Sequence, residues 1–282
     1  MSKAAQADKD SDKKPGLIEE TVEIVKTVVY ALAIALFIRV LFFQPYTIPS
    51  ASEEPNLYQG DYIIVTKWSY GYSRHSIIFS PPIFKGRIFF HPPARGDIIV
   101  FKLPRDGHTD YIKRLVGLPG DRIQMKGGTL WINGKPVGER QLGVHMATDH
   151  GLPEPVAWVE ETNPEGRKYV IQDHGRGYQA DDTDVYVVPP HCYFMMGDNR
   201  DNSADSRFDP GLPPNDPRLG GCGWDVRHDA ILNDEGVGFV PEENLVGKAQ
   251  FIMLSWNDKA SIFKPWTWFL DARPSRFFHV LK

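Results

Sequence analysis

Hydrophobic positions fall into three regimes along this chain, and each predicts a different kind of structure. The first fifteen residues (MSKAAQADKDSDKKP) are charged and small, have no apolar periodicity, and predict a flexible tail. From Thr27 to Phe43 the chain reads TVVYALAIALFIRVLFF, with Arg39 as its one charge. At 1.5 Å per residue this run covers roughly 25 Å, and Val22, Ile24 and Val25 extend it towards the ~30 Å of a hydrocarbon core. The polar face of a buried soluble helix is missing from Thr27 to Ile38. Segment 16–43 therefore predicts a membrane-spanning helix. Beyond Gln44 the apolar runs become short and punctuated. Tyr62–Thr66 and Ile98–Phe101 each follow a Gly-Asp turn, at Gly60-Asp61 and Gly96-Asp97. Leu130-Trp131-Ile132 and Lys135-Pro136-Val137 flank Asn133-Gly134, a strong hairpin signal. Tyr193–Met196 is a further strand, ending at Gly197-Asp198-Asn199. The portion after the helix thus predicts an all-β unit.

Charge placement orients the helix. Lys3, Lys9, Lys13, Lys14 and Lys26 precede it, whereas Gln44 to Thr66 holds no Lys or Arg. The positive-inside rule then predicts a cytoplasmic tail and an exported main body. Ser50-Ala51-Ser52 has the form of a small-x-small cleavage site, which raises a cleaved signal peptide as the rival reading. The long acidic leader, the length of the apolar run and the intervening polar residues favour an uncleaved anchor.

Composition removes other classes. With 32 Lys plus Arg against 36 Asp plus Glu, the formal net charge is −4, which offers polyanions no general attraction, so no nucleic-acid partner is expected. The nine His show no metal-binding spacing, and no metal site is expected. Cys192 and Cys222 could bridge in an oxidising compartment, although spacing alone does not supply the geometry. Two apolar clusters, Ile77–Phe79 with Ile83, Phe84 and Ile88–Phe90, and Ile262–Leu270, sit among Pro, Gly and Lys. Core packing accounts for part of them; a surface that dips into the outer leaflet is the other reading.

Three segments carry candidate chemistry. Ile48-Pro49-Ser50-Ala51-Ser52-Glu53-Glu54-Pro55-Asn56-Leu57 presents hydroxyls on irregular backbone just beyond the helix. Asp110 to Asp121 (DYIKRLVGLPGD) puts Lys113 on an apolar strand, where Ile112, Leu115 and Val116 could desolvate it. A desolvated lysine loses its proton more easily and can serve as a general base. The third segment is Met196 to Arg207 (MGDNRDNSADSR).

Together, and in this order, these segments and Arg95-Gly96-Asp97 resemble the type I (leader) signal peptidases, membrane-anchored Ser/Lys endopeptidases of bacterial export. The resemblance spans roughly residues 16–138 and 189–256. It implies a mainly β fold: one transmembrane helix, then a catalytic domain of antiparallel sheets with an inserted β-rich subdomain. The implied divisions are a tail at 1–15, the anchor at 16–43, a catalytic core at 44–122 and 191–282, and the insertion at 123–190. A second, irregular insertion is expected near 208–236.

Carried over by position, the resemblance makes Ser52 the nucleophile and Lys113 the general base. Ser50 joins the Ser52 backbone N–H in the oxyanion hole, and Ser203 hydrogen-bonds and orients Lys113. Asp205 with Arg207 and Asp198 with Arg114 form ion pairs. Ile48, Pro49, Glu53, Leu57, Tyr111 and Ile112 shape a pocket for a small side chain. The chain departs from the family's P-S-x-S-M-x-P-T-L at Glu53 and Asn56, and a carboxylate within about 6 Å of Lys113 would favour its ammonium form. The implied function is cleavage of signal peptides after small-x-small sites, without cofactor, in the inner membrane and near the export translocon, with the catalytic domain on the periplasmic side. The alternative is a catalytically degenerate homologue that binds preproteins or membrane partners without cutting them.

Overall fold

The computed structural model describes residues 16–77, 79–149, 152–223, 236–257 and 266–281. The expected tail, residues 224–235 of the irregular insertion, and Ile78 and 262–265 of the apolar clusters lie outside the described residues.

Helix α1 runs Leu17–Leu41 with its apolar side chains facing outward, and it is long and apolar enough to cross a bilayer. The expected anchor reached Phe43, but the helix stops two residues earlier. Pro45 disfavours helical backbone at Gln44, and Phe43 pairs in a sheet with Thr66 instead. The end of the helix is tied to the body: Tyr72 Oη donates to Leu41 O at 2.7 Å, and Trp68 packs edge-on against Phe43 at 4.8 Å.

Fifteen strands follow among the described residues. They are β1 (Phe43–Thr47), β2 (Asp61–Thr66), β3 (Ile98–Lys102), β4 (Asp110–Gly117), β5 (Arg122–Lys126), β6 (Thr129–Ile132), β7 (Lys135–Pro136), β8 (Gly138–Asp149), β9 (Leu152–Thr162), β10 (Lys168–Asp173), β11 (Tyr186–Val187), β12 (Cys192–Met196), β13 (Val240–Pro241), β14 (Leu245–Ser255) and β15 (His279–Val280). The largest sheet has the order β1-β2-β14-β3-β4-β12-β13, with β15 on β14; a second runs β11-β5-β6-β7 and a third β10-β9-β8. Every paired strand is antiparallel. The mainly β architecture expected from the short punctuated runs is the one observed.

Local chemistry explains the turns. Asn133 and Gly134 both take positive φ (53° and 77°), the backbone that a two-residue hairpin needs between β6 and β7. Hydrophobic packing then fixes the sheets. Ile63, Val65, Ile98, Val100, Val246 and Ile252 are fully buried on one face of the large sheet, together with Ile48 and Leu57 from the loop that follows β1. Cys192 and Cys222 are joined in a disulfide, so the pairing that spacing left open is formed. Core packing does not account for Phe79, Phe89 and Phe269, which are 94%, 77% and 87% exposed.

Candidate active site

Strand β4 and the loop between β1 and β2 build the site. Ile99 of β3 pairs with Lys113, which is almost wholly buried, and Arg114 pairs with Ile98 on one side and Met196 of β12 on the other. Pairing of β4 with β12 runs from Arg114 to Gly117. The loop after β1 lies alongside. Its Ile48 is anchored through N–H to Asp61 O (2.9 Å), and a turn closed by Glu54 N donating to Ala51 O (3.0 Å) sets Ser52 against Lys113 of β4.

Lys113 Nζ donates to Ser52 Oγ at 2.6 Å and to Ile112 O at 3.0 Å. Ser50 Oγ lies 3.4 Å from Ser52 Oγ. Burial holds Lys113 below the ordinary lysine range, opposed by the nearby carboxyls of Glu53, Asp205 and Asp198. A hydroxyl beside a lysine that gives up its proton easily can serve as a nucleophile with its base in reach. A cleft of about 410 Å³ opens over the pair, lined by Pro49, Ser50, Ser52, Tyr111, Ile112 and Lys113 among others.

Two buried ion pairs support this centre where the sequence expected them. Arg114 grips Asp198 with two 2.7 Å hydrogen bonds and rests over the Tyr169 ring at 4.2 Å. Arg207 grips Asp205 at 2.8 and 2.9 Å, and Asp205 also accepts the Gly197 N–H. Such paired geometry makes charges tolerable inside a protein.

Three expectations are corrected. Ile48 and Leu57 do not line the cleft: both are buried beneath it in the core of the large sheet, because their apolar side chains complete the face formed by Ile63 and Val65. Glu53 does not line it either. The turn that lifts Ser52 directs the next side chain inward, where Glu53 is fully buried with Oε1 3.8 Å from Lys113 Nζ. Neither Glu53 oxygen has a hydrogen-bond partner among the described residues; burial first, and then the Asp198 charge, push this carboxyl well above its usual range. Finally, Ser203 Oγ does not bond Lys113. It is buried without a hydrogen-bond partner among the described residues, packed against Gly197.

Other contributors escaped sequence reasoning. Asn56, which departs from the family pattern, donates from Nδ2 to Asp198 Oδ2 (2.7 Å) and Val170 O (2.6 Å), locking the nucleophile loop to the first ion pair. Glu161 pairs with Arg200 inside the protein, and Asn199 contacts the Ser52 backbone. The signal for Asn199 lay within the Gly197-Asp198-Asn199 motif; Glu161 sits in a polar stretch with no local signal at all.

The model of the family described as signal peptidase, peptidase S26, matches residues 21–256. Signal peptidase I of Rickettsia canadensis (strain McKiel) is 36% identical over 291 residues, covering 96% of this chain and 97% of that protein. Its counterpart in Rickettsia felis is 37% identical over 260 residues, covering 84% and 85%. A solved signal peptidase I from Enterococcus faecalis V583 aligns with 56% of this chain and 97% of its own at 23% identity, with a TM-score of 0.27, a likeness too low to bear on the fold.

Proposed function

Since the chain belongs to the signal peptidase S26 family, we propose that it is a membrane-anchored serine endopeptidase that removes signal peptides with a Ser52–Lys113 dyad. One observation carries the assignment: Ser52 Oγ has a buried lysine amine at 2.6 Å, and its other neighbour in reach among the described residues is Ser50. As Ser52 Oγ attacks the scissile carbonyl carbon, the neutral Lys113 amine takes the hydroxyl proton and the carbonyl π pair moves to oxygen. The Ser52 N–H and the Ser50 hydroxyl face that oxyanion. The Lys113 ammonium then protonates the leaving amine, and a water activated by the same amine releases the signal peptide from Ser52.

The cleft walls supplied by Pro49, Tyr111 and Ile112 are read as favouring small side chains, hence small-x-small cleavage sites. In the same reading, 44–122 and 191–282 form the catalytic core, and 123–190 is the insertion. The tail faces the cytoplasm, and the catalytic domain works at the outer face of the inner membrane, near the translocon that delivers preproteins. The Cys192–Cys222 disulfide fits that compartment. Exposed Phe79 and Phe89, close in sequence to the residue that bonds Leu41, suit contact with the bilayer.

Incubating the detergent-solubilised protein with a preprotein tests the assignment. The expected result is a mature product whose new N-terminus follows a small-x-small sequence; binding without cleavage would select the degenerate homologue instead. Protease added outside spheroplasts should spare only a fragment ending near Phe43.

Glu53 gives a pH prediction. Catalysis needs the neutral amine, so activity falls as the pH drops through the Lys113 pKa. Among nearby charges, the Glu53 carboxylate is the first that favours the ammonium. Glu53→Gln is therefore expected to lower that pKa further and carry activity to lower pH, read as a shifted acidic limb of kcat/KM. An unmoved limb would mean that Glu53 stays a neutral acid throughout the working range.

A further inference from the structure

The peptide unit between Ala51 and Ser52 contains the N–H that faces the oxyanion, and its carbonyl points the opposite way in a trans peptide. That carbonyl is not idle. Asn199 Nδ2 donates to Ala51 O at 3.3 Å, and Asn199 N donates to Ser52 O at 3.1 Å. One buried residue thus grips the carbonyls on both sides of the nucleophile. Because the Asn199 amide nitrogen faces a carbonyl, its Oδ1 must face the other way, and there it lies 3.1 Å from His174 Nε2. This nitrogen must then carry the proton. The His174 ring is itself buried, its backbone N–H donates to Asp201 Oδ2 at 2.8 Å, and Glu154 Oε2 lies 3.9 Å from its Nδ1.

We propose that Asn199 is a positioning residue for the oxyanion hole: it fixes the Ala51–Ser52 peptide so that the Ser52 N–H meets the developing charge, and His174 fixes Asn199. Donation to Ala51 O also polarises the amide, which strengthens its N–H as a donor. The chain of contacts runs from the end of β10 through Asn199 to the Ala51 and Ser52 backbone, and among the described residues no hydrogen bond joins Asn199 or His174 to Lys113. Its signature therefore falls on the transition state alone. The inference rests on Ser52 being the nucleophile.

The test compares wild type with Asn199→Ala, Asn199→Asp, His174→Phe and His174→Gln in preprotein cleavage. Loss of the grip is expected to lower kcat roughly tenfold to a hundredfold, the scale of a small misplacement of reacting groups, with KM and the acidic limb unchanged. His174→Gln keeps a donor for Asn199 and should retain near wild-type kcat, whereas His174→Phe should fall with the Asn199 variants. A peptide aldehyde, to whose carbonyl carbon Ser52 Oγ adds, should bind more weakly by the same factor. The matching peptide alcohol, which forms no such adduct, should bind as before. Wild-type kcat in both Asn199 variants, or a shifted acidic limb, would overturn the proposal. If the Asn199 variants do not fold, equal kcat in His174→Phe and wild type overturns it, and a selective loss in His174→Phe supports it. Ser52→Ala serves as the control: turnover there defeats the nucleophile assignment itself, whereas an inert Ser52→Ala beside an unaffected Asn199→Ala defeats only the grip.

Discussion

Ser52→Ala and Lys113→Ala are each expected to abolish preprotein cleavage while leaving the thermal unfolding transition cooperative. In the proposed mechanism Ser52→Ala removes the atom that forms the covalent intermediate. Lys113→Ala there removes the group that takes and returns the proton in both halves of the reaction, and general acid–base catalysis alone contributes about 10²–10⁴-fold. The two losses should not add, because neither residue has a separate task once the other is gone. Lys113→Arg should fail as completely, since a guanidinium keeps its proton at any working pH. The measurement is single-turnover cleavage of a labelled preprotein. Substantial turnover in either alanine variant, with host enzyme excluded, would remove the dyad assignment.

Gly197→Ala should be nearly as damaging, although position 197 holds no reactive group. A Cβ built there would stand 2.2 Å from Ser203 Oγ, 2.5 Å from Ser203 Cβ and 2.5 Å from Ser52 O. These are impossible contacts, and one of them is with the backbone of the nucleophile. The chain must therefore move Ser52 away from β12, and displacement of a reacting group by about 1 Å can cost about a hundredfold. The expected outcome is a loss of kcat of that order in a protein that still folds, because the strands on either side are held by the Arg114–Asp198 pair and the core of the large sheet. Pairing it with Ser203→Ala removes only the Ser203 Oγ clash: the Cβ at position 203 and Ser52 O, both 2.5 Å away, stay in the way, so the double variant should recover little. Wild-type activity in Gly197→Ala would show that the nucleophile loop yields without consequence.

Local pattern was enough for everything that depends on neighbours in the sequence. The apolar run before Phe43 can be satisfied by a helix with its side chains turned outward, the Asn133-Gly134 pair by a tight hairpin, and the short runs after Gly-Asp turns by strands. Motif order was enough to nominate Ser52, Lys113 and the two ion pairs, because each nominated residue sits in a dense local signature. What the pattern could not contain was direction. Whether Glu53 faces the cleft or the interior depends on how the Ser52 turn sits against β4, and these segments are about sixty residues apart. The same holds for Ile48 and Leu57, which read as pocket walls yet complete the core, and for Ser203, whose hydroxyl is buried against Gly197.

The sequence by itself determined the class of protein: an apolar helix, a mainly β body, and a serine and a lysine in recognisable surroundings. Only the tertiary structure decided which groups touch. It turned Glu53 inward to 3.8 Å from Lys113, joined Cys192 to Cys222, and brought Asn199, held by His174, onto the Ala51–Ser52 peptide. The physical reason is that periodicity and turn chemistry act over a few residues, whereas burial and hydrogen bonding between distant strands are settled only when the sheets close around a shared core.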